Sequence, residues 1–356
     1  MTFNIGMVGA SGSGKTSLMT AMFSDMKQHL GACQQTTAAV KILLEDRETQ
    51  QALRDAKYRF DSCIRMKKFV AWERSAECSH FGFKIVFDRE GKERSFGFRI
   101  MDYPGGLLSN REEFDKTCLP HISKSCALFV PIDAVALIKY DEERSKDSGV
   151  AEKVLNRLEI GRVVEIVKIW AGTRSPDEKG TLFLVPIKTE SYFKNSGCCV
   201  SEKEERLEDV VRELYVDALR GTSAKDVLKV VYNPVDTYGC VSVSSASWND
   251  KDDFLQEEFN VAPNAKMKIT GAVDLFSTII RSTLTNCADE TDKNARQGQS
   301  DIDSRGMIKR AFYYFFPDPV KQLVDENESA KQFYDAALQQ MSDFTSTSRL
   351  KVFALN

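Results

Sequence analysis

Apolar positions along this chain fall into three patterns: short unbroken runs, strict alternations and stripes at helical spacing. Together they predict strands alternating with helices. Phe3-Asn4-Ile5-Gly6-Met7-Val8 has the character of a buried strand, and Ser17 to Leu30 carries Leu18, Met22, Met26 and Leu30 on one helical face. After a polar stretch and Ala38 to Leu44, a charged segment from Glu45 to Lys68 holds Leu53, Tyr58, Phe60 and Ile64 and reads as an inserted helix. Phe69 to His80 is irregular. Phe81 to Phe87 and Ser95 to Met101 form a hairpin around a turn at Asp88 to Arg94, with Phe96, Phe98 and Ile100 alternating against polar or small neighbours.

Farther on, Cys126 to Asp133 and Thr181 to Ile187 read as buried strands. Between them, Ala134 to Gly149 is a loop or short helix and Val150 to Ala171 a helix. Ser201 and Glu204 form a capping box for a helix that runs to Gly221. Val227 to Tyr232 and Cys240 to Ser244 have strand character, and Val273 to Leu284 is the last helix of the domain. Asn286 to Asp303 is polar and reads as a linker, and Val320 to Met341 is a further helix. The fold class is therefore α/β: three layers with a mostly parallel sheet, an antiparallel hairpin and a helical insertion near 38–68. The expected plan is a domain over 1–285, a linker over 286–303 and an aromatic, helical extension over 304–356. In that extension Phe312, Tyr313, Tyr314, Phe315 and Phe316 are consecutive, so neither a helix nor a strand can hide all five on one face. A protein partner, a second copy or the domain itself is expected to cover them.

Chemistry concentrates after the first strand. Gly9-Ala10-Ser11-Gly12-Ser13-Gly14-Lys15-Thr16 fits the phosphate-binding pattern of two glycines with four residues between them followed by Lys-Thr, set between a strand and a helix. Glycines let backbone N–H groups close on phosphate oxygens, and the helix N-terminus that begins near Ser17 adds partial positive charge. Lys15 suits the β- and γ-phosphates and Thr16 suits Mg²⁺. A second stretch, Asp102-Tyr103-Pro104-Gly105-Gly106, follows the hairpin. Asp102 at a strand end suits Mg²⁺ through water, and Gly105 can present its N–H to a γ-phosphate because no side chain blocks the approach.

With a net charge of -3, no global basic field points to nucleic acid. No apolar run reaches membrane-spanning length. Nine cysteines without a CxxC pair read as reduced thiols, and a chain that enters a core strand at once is expected to be cytoplasmic, without a leader. His29, His80 and His121 lie far apart in sequence and offer no metal-ligand spacing.

The loop, the hairpin, Asp102-Tyr103-Pro104-Gly105 and a strand ending in Lys-x-acid together resemble the TRAFAC class of P-loop GTPases. Asp102 to Gly106 and Pro186-Ile187-Lys188-Thr189-Glu190 are similar to the versions in bacterial double-GTPase and YcjX-like proteins. The resemblance spans about residues 1 to 285 and implies a Mg²⁺-dependent GTP/GDP switch that signals to a partner, in bacterial regulation or defence. It implies base reading by Lys188 and Glu190, where Ile187 replaces the family's Asn, with Ser244-Ser245-Ala246 as the last guanine-contacting turn. It implies a switch ligand to Mg²⁺ for which Ser75 or Ser79, or earlier Thr36 or Thr37, is the candidate. Gly106 stands where Ras-like members carry Gln, and Arg74 and Arg111 are the arginines that can act in cis. Two alternatives stay open: an ATP-using protein, motivated by Ile187, and a nucleotide-binding scaffold with little turnover, motivated by Gly106.

Overall fold

The computed structural model describes residues 2–33, 40–45, 47–66, 78–89, 92–176, 179–189, 200–237, 241–249, 254–261, 269–303, 319–342 and 350–355. The chain divides into two compact units, Met1–Phe276 with Ser346–Asn356, and Ser277–Thr345.

The first unit is an α/β fold on an eight-stranded sheet. Its strands are β1 (Thr2–Met7), β2 (Val40–Leu44), β3 (Ser79–Arg89), β4 (Lys92–Asp102), β5 (Ser125–Asp133), β6 (Gly180–Ile187), β7 (Leu228–Tyr232) and, beyond the separate pair β8 (Val241–Asn249) and β9 (Phe254–Val261), β10 (Lys351–Phe353). The order across the sheet is β10-β7-β6-β5-β1-β4-β3-β2. The central run β4-β1-β5-β6-β7 is parallel, while β3 is antiparallel to both β4 and β2, and β10 to β7. The sheet is mostly parallel for a physical reason. All eight residues of β6 are buried, so the strand is covered on both faces and its sequence is a continuous apolar run rather than an alternation.

Neighbouring residues of these strands serve different cores. Leu182, Leu184, Leu128 and Val130 join a cluster with residues of α3 (Arg111–Thr117), α4 (Leu119–Ser123), α5 (Ala134–Glu143), α6 (Ser148–Leu158) and α7 (Ile160–Gly172). Phe183 instead meets Phe129, ring centroids 4.9 Å apart. Toward β3 the aromatic packing is denser: Phe83 stacks on Phe98 at 5.0 Å and meets Phe23 of α1 (Lys15–Cys33) at 5.4 Å. Each such side chain, fully buried, contributes about 1.5–3 kcal/mol.

Several expectations hold: β1, the hairpin β3–β4, the helix α2 (Arg47–Met66), β5, β6, β7 and the Pro319–Ser342 helix, but the insertion expected near 38–68 is not all helical, since β2 pairs with β3 in the main sheet. Of the two alternatives for Ala134 to Gly149, the short helix is found as α5, which Asp133 caps by accepting from the Val135 and Ala136 N–H groups. Others are corrected. The single helix expected over Val150 to Ala171 is two, broken at Glu159, whose φ of 49° is left-handed. The strand expected to end at Ser244 runs on to Asn249 and, among the described residues, pairs with β9 alone, a strand the apolar pattern missed. The expected linker is helical: residues 286–303 continue the helix Ala272–Asp303. A polar composition suits a helix as well as a loop when no Pro interrupts it. The extension over 304–356 does not stay separate either, since β10 completes the sheet of the first unit. In the second unit, Lys331 of Pro319–Ser342 pairs with Asp292 at 2.6 Å. The aromatic run 312–316 lies outside the described residues.

Candidate functional site

The carboxyl ends of the parallel strands bring the expected residues together. After β1, Val8 still donates to Phe129 O at 2.8 Å, and the chain then leaves the ladder for the glycine loop. Gly12 and Gly14 have φ of 76° and 83°, a region that other residues enter only at a cost. Leu18 N–H makes a helical bond to Gly14 O at 2.9 Å. The amides of the turn before it, where Lys15, Thr16 and Ser17 stand, are the ones a helix leaves without an intrahelical acceptor. Gly9, Ala10 and Ser13 are buried, and Ser13 Oγ has no hydrogen-bond partner among the described residues.

Lys15 is only 6% exposed, and its Nζ donates to Gly9 O at 2.8 Å and to Ala10 O at 3.1 Å. Burial lowers its pKa, and the negative charge of Asp102 opposes that shift. Thr16 Oγ1 donates to Asp102 Oδ2 at 2.7 Å, joining two residues 86 positions apart. Burial raises the Asp102 carboxyl, while the Thr16 hydrogen bond and the Lys15 ammonium pull it back. A buried ammonium, a buried carboxylate and a half-buried hydroxyl are thus held together beside the glycine loop.

Three residues after Asp102, Gly105 approaches the loop so closely that a Cβ there would lie 2.3 Å from Ser11 Cα. Only glycine fits there, and the neighbour that requires it is the loop backbone. Gly106, by contrast, has nothing within 4 Å of where its Cβ would be. Tyr103 is buried, with its hydroxyl accepting from Gly9 N–H at 2.9 Å and its ring centroid 5.1 Å from Lys15 Nζ. Tyr103 carries no role in the sequence pattern, because its partner Gly9 lies 94 positions away.

No protein-family model matches this chain, and no curated protein matches it. The geometry alone therefore bears on what the loop binds. Among the described residues no three His, Cys, Asp or Glu side chains gather into a metal cage. Mg²⁺ does not require one, since a hydroxyl and a single carboxylate suffice when phosphate oxygens and water complete its sphere. Thr16 and Asp102 fit that arrangement.

The ends of β5, β6 and β7 are built differently. Ile187 packs on the loop: a Cβ on Gly14 would lie 2.3 Å from Ile187 Cδ1. Lys188, in a left-handed conformation with φ 61°, donates to Asp133 Oδ2 at 2.6 Å. Thr189 and Thr270 donate to the two oxygens of Asp236 at 2.5 and 2.6 Å, and Asn233 Nδ2 donates to Gly271 O at 2.8 Å. Asp133, Asp236 and Asn233 were not anticipated; each ends or follows a buried strand at this edge, which is the signal that would have found them.

The remaining candidates scatter. Ser245 and Ala246 lie inside β8, not in a turn after a strand of the main sheet, so the assignment of that turn is corrected. The segment that follows β7 at the sheet edge is 233–237. Glu190, Ser75, Arg74, Thr36 and Thr37 lie outside the described residues. Ser79 opens β3 and is paired in register with Asp102. Arg111 is 69% exposed and pairs with Glu165 at 2.6 Å. His80 and His121, distant in sequence, have ring centroids 5.7 Å apart, but His121 Nε2 is engaged by Ile5 O at 3.1 Å. Among the described residues Cys78, Cys118, Cys126 and Cys287 carry reduced thiols, and burial pushes Cys118 up to about 12.

Proposed function

We propose that this protein binds a nucleoside triphosphate with Mg²⁺ through residues 9–17 and hydrolyses GTP to GDP as a switch read by a protein partner. The observation that carries the reading is the convergence of Lys15, Thr16 and Asp102 at the mouth of the glycine loop, with Thr16 and Asp102 at 2.7 Å. The sheet order supports it as well. β4, which delivers Asp102, lies directly beside β1, which delivers the loop, and both run in the same direction. Thr16, which opens α1 after the loop, and Asp102, which ends β4, are thereby brought to hydrogen-bond distance.

In this reading the loop amides and the α1 N-terminus hold the phosphates, and Lys15 neutralises charge on the β- and γ-oxygens. When bound between Thr16 and Asp102, Mg²⁺ supplies further neutralisation of those oxygens. Gly105 presents its backbone N–H where no side chain interferes, so the segment from Asp102 onward responds to the γ-phosphate. Lys188 and Glu190 read the base.

One observation favours a second reading. Ile187 stands where the resemblance expects Asn and fills its place with an apolar contact to Gly14, so the loop is braced without the amide. Base selectivity for guanine then rests on the acid at 190 alone, and an ATP-using protein fits the same phosphate site. A titration panel of GTP, GDP, ATP and ADP, each with Mg²⁺, separates the two. Tight binding of guanine nucleotides only supports the first reading. A preference for ATP overturns it, and no binding of any of the four overturns both.

A further inference from the structure

Tyr103 lies between the two halves of the phosphate end and touches both. Its hydroxyl accepts the N–H of Gly9 at 2.9 Å. That amide belongs to a buried residue just past the end of β1, where it has left the strand ladder and needs an acceptor. The Tyr103 ring faces the Lys15 ammonium with its centroid 5.1 Å from Nζ, within the range of a cation–π contact. The other Lys15 contacts are the carbonyls of Gly9 and Ala10, at 2.8 and 3.1 Å. The ring itself is fixed from outside by Phe114, edge-on at 5.1 Å and 82°, and Phe114 in turn lies under Arg162 at 5.5 Å. Two residues after Tyr103, Gly105 presses on Ser11. Residues 103–105 therefore grip the loop at Gly9, at Ser11 and at Lys15.

We propose that Tyr103 is a positioning residue for phosphate: its hydroxyl anchors the base of the glycine loop at Gly9, and its ring holds the Lys15 ammonium on the phosphate site. The inference rests on the triphosphate reading of the same loop. A lysine side chain has many rotamers, and one already ordered loses less freedom when phosphate arrives. The two contacts are chemically separable. Tyr103→Phe removes one oxygen and keeps the ring, whereas Tyr103→Leu removes both.

The test is titration calorimetry of the full chain with Mg²⁺ and non-hydrolysable analogues of GTP and ATP, using the tighter of the two for comparison. Melting temperatures are measured in parallel without nucleotide. Tyr103→Phe is expected to weaken triphosphate binding roughly threefold to tenfold, as for the loss of one neutral hydrogen bond. Tyr103→Leu is expected to weaken it about thirtyfold or more, as the desolvated cation–π contact goes too. A residue that only packs would lower the melting temperature of the nucleotide-free protein and leave the dissociation constants unchanged, and that result overturns the inference. Where Tyr103→Leu does not fold, Tyr103→Phe decides by the same criterion. Wild-type protein that binds neither analogue overturns the triphosphate reading and this inference together. Wild type that binds, with variants that bind equally well, overturns this inference alone.

Discussion

The two ends of one sheet edge are built by opposite means. At β1 and β4 the loop is made of glycine and backbone: Gly12 and Gly14 sit at positive φ, and Gly105 lies against Ser11. Three side chains, Lys15, Thr16 and Asp102, supply the charge and the hydroxyl. At β5, β6 and β7 the polar side chains bond to one another instead. Asp133 holds Lys188 and caps α5, Asp236 holds Thr189 and Thr270, and Asn233 holds Gly271. The second construction fastens loops together; in the proposal the first offers donors to a ligand, and base recognition falls to Glu190.

Breaking the fastening should cost the most. Asp133→Ala removes the carboxylate that Lys188 and two α5 amides share, with side chains only 5% and 13% exposed. The expected loss is about 3–5 kcal/mol in urea unfolding, the range for breaking a buried pair. Asp133→Asn, which keeps the cap, should lose visibly less. If the two variants unfold at the same urea concentration as wild type, the ion pair is not what holds this end.

Ile187→Ala attacks the contact that joins the two ends. Ile187 is fully buried against Gly14, and the truncation should cost about 3 kcal/mol. Amide hydrogen exchange at residues 12–16 should quicken with it. Exchange that stays at the wild-type rate would show that the loop is braced from elsewhere.

These two sites also show what was legible beforehand. The glycine loop, the Asp102 strand end and the hairpin were readable because each is a local pattern with its own backbone demand. The loop needs positive φ at fixed offsets, and β3–β4 needs alternation. The Lys188–Asp133 pair joins residues 55 positions apart, and Thr189–Asp236 joins residues 47 apart, so no local pattern announces them. The Ser245-Ala246 assignment failed because a strand followed by small residues looks alike in a sheet interior and in an isolated hairpin. The helix over 286–303 was missed because its polarity was taken as a sign of a linker, although helical propensity, not polarity, decides. β10 could not be read at all: three residues, Lys351–Phe353, become a strand only because β7 offers an edge.

Glu190→Ala sharpens the comparison at the base side. It should weaken GTP relative to ATP by about tenfold or more, the worth of a carboxylate contact of about 1.5–3 kcal/mol. An unchanged GTP/ATP ratio in calorimetry would remove the guanine assignment and promote the ATP reading. The smallest effect is expected at Arg111→Ala. Its guanidinium is exposed and pairs with Glu165 and Asp115 on the surface, so stability should change by less than about 1 kcal/mol. GTP turnover should fall only if Arg111 swings from that pair to the nucleotide.

The central claim is that the glycine loop takes the phosphates through Lys15. Calorimetric titration of wild type and Lys15→Ala with Mg²⁺ and a non-hydrolysable GTP analogue, with circular dichroism of both proteins, tests it most directly. The account predicts saturable one-to-one binding by wild type and a loss of about 10-fold to 100-fold or more in the variant, with the two spectra superimposable. Equal affinity in the two proteins would contradict it.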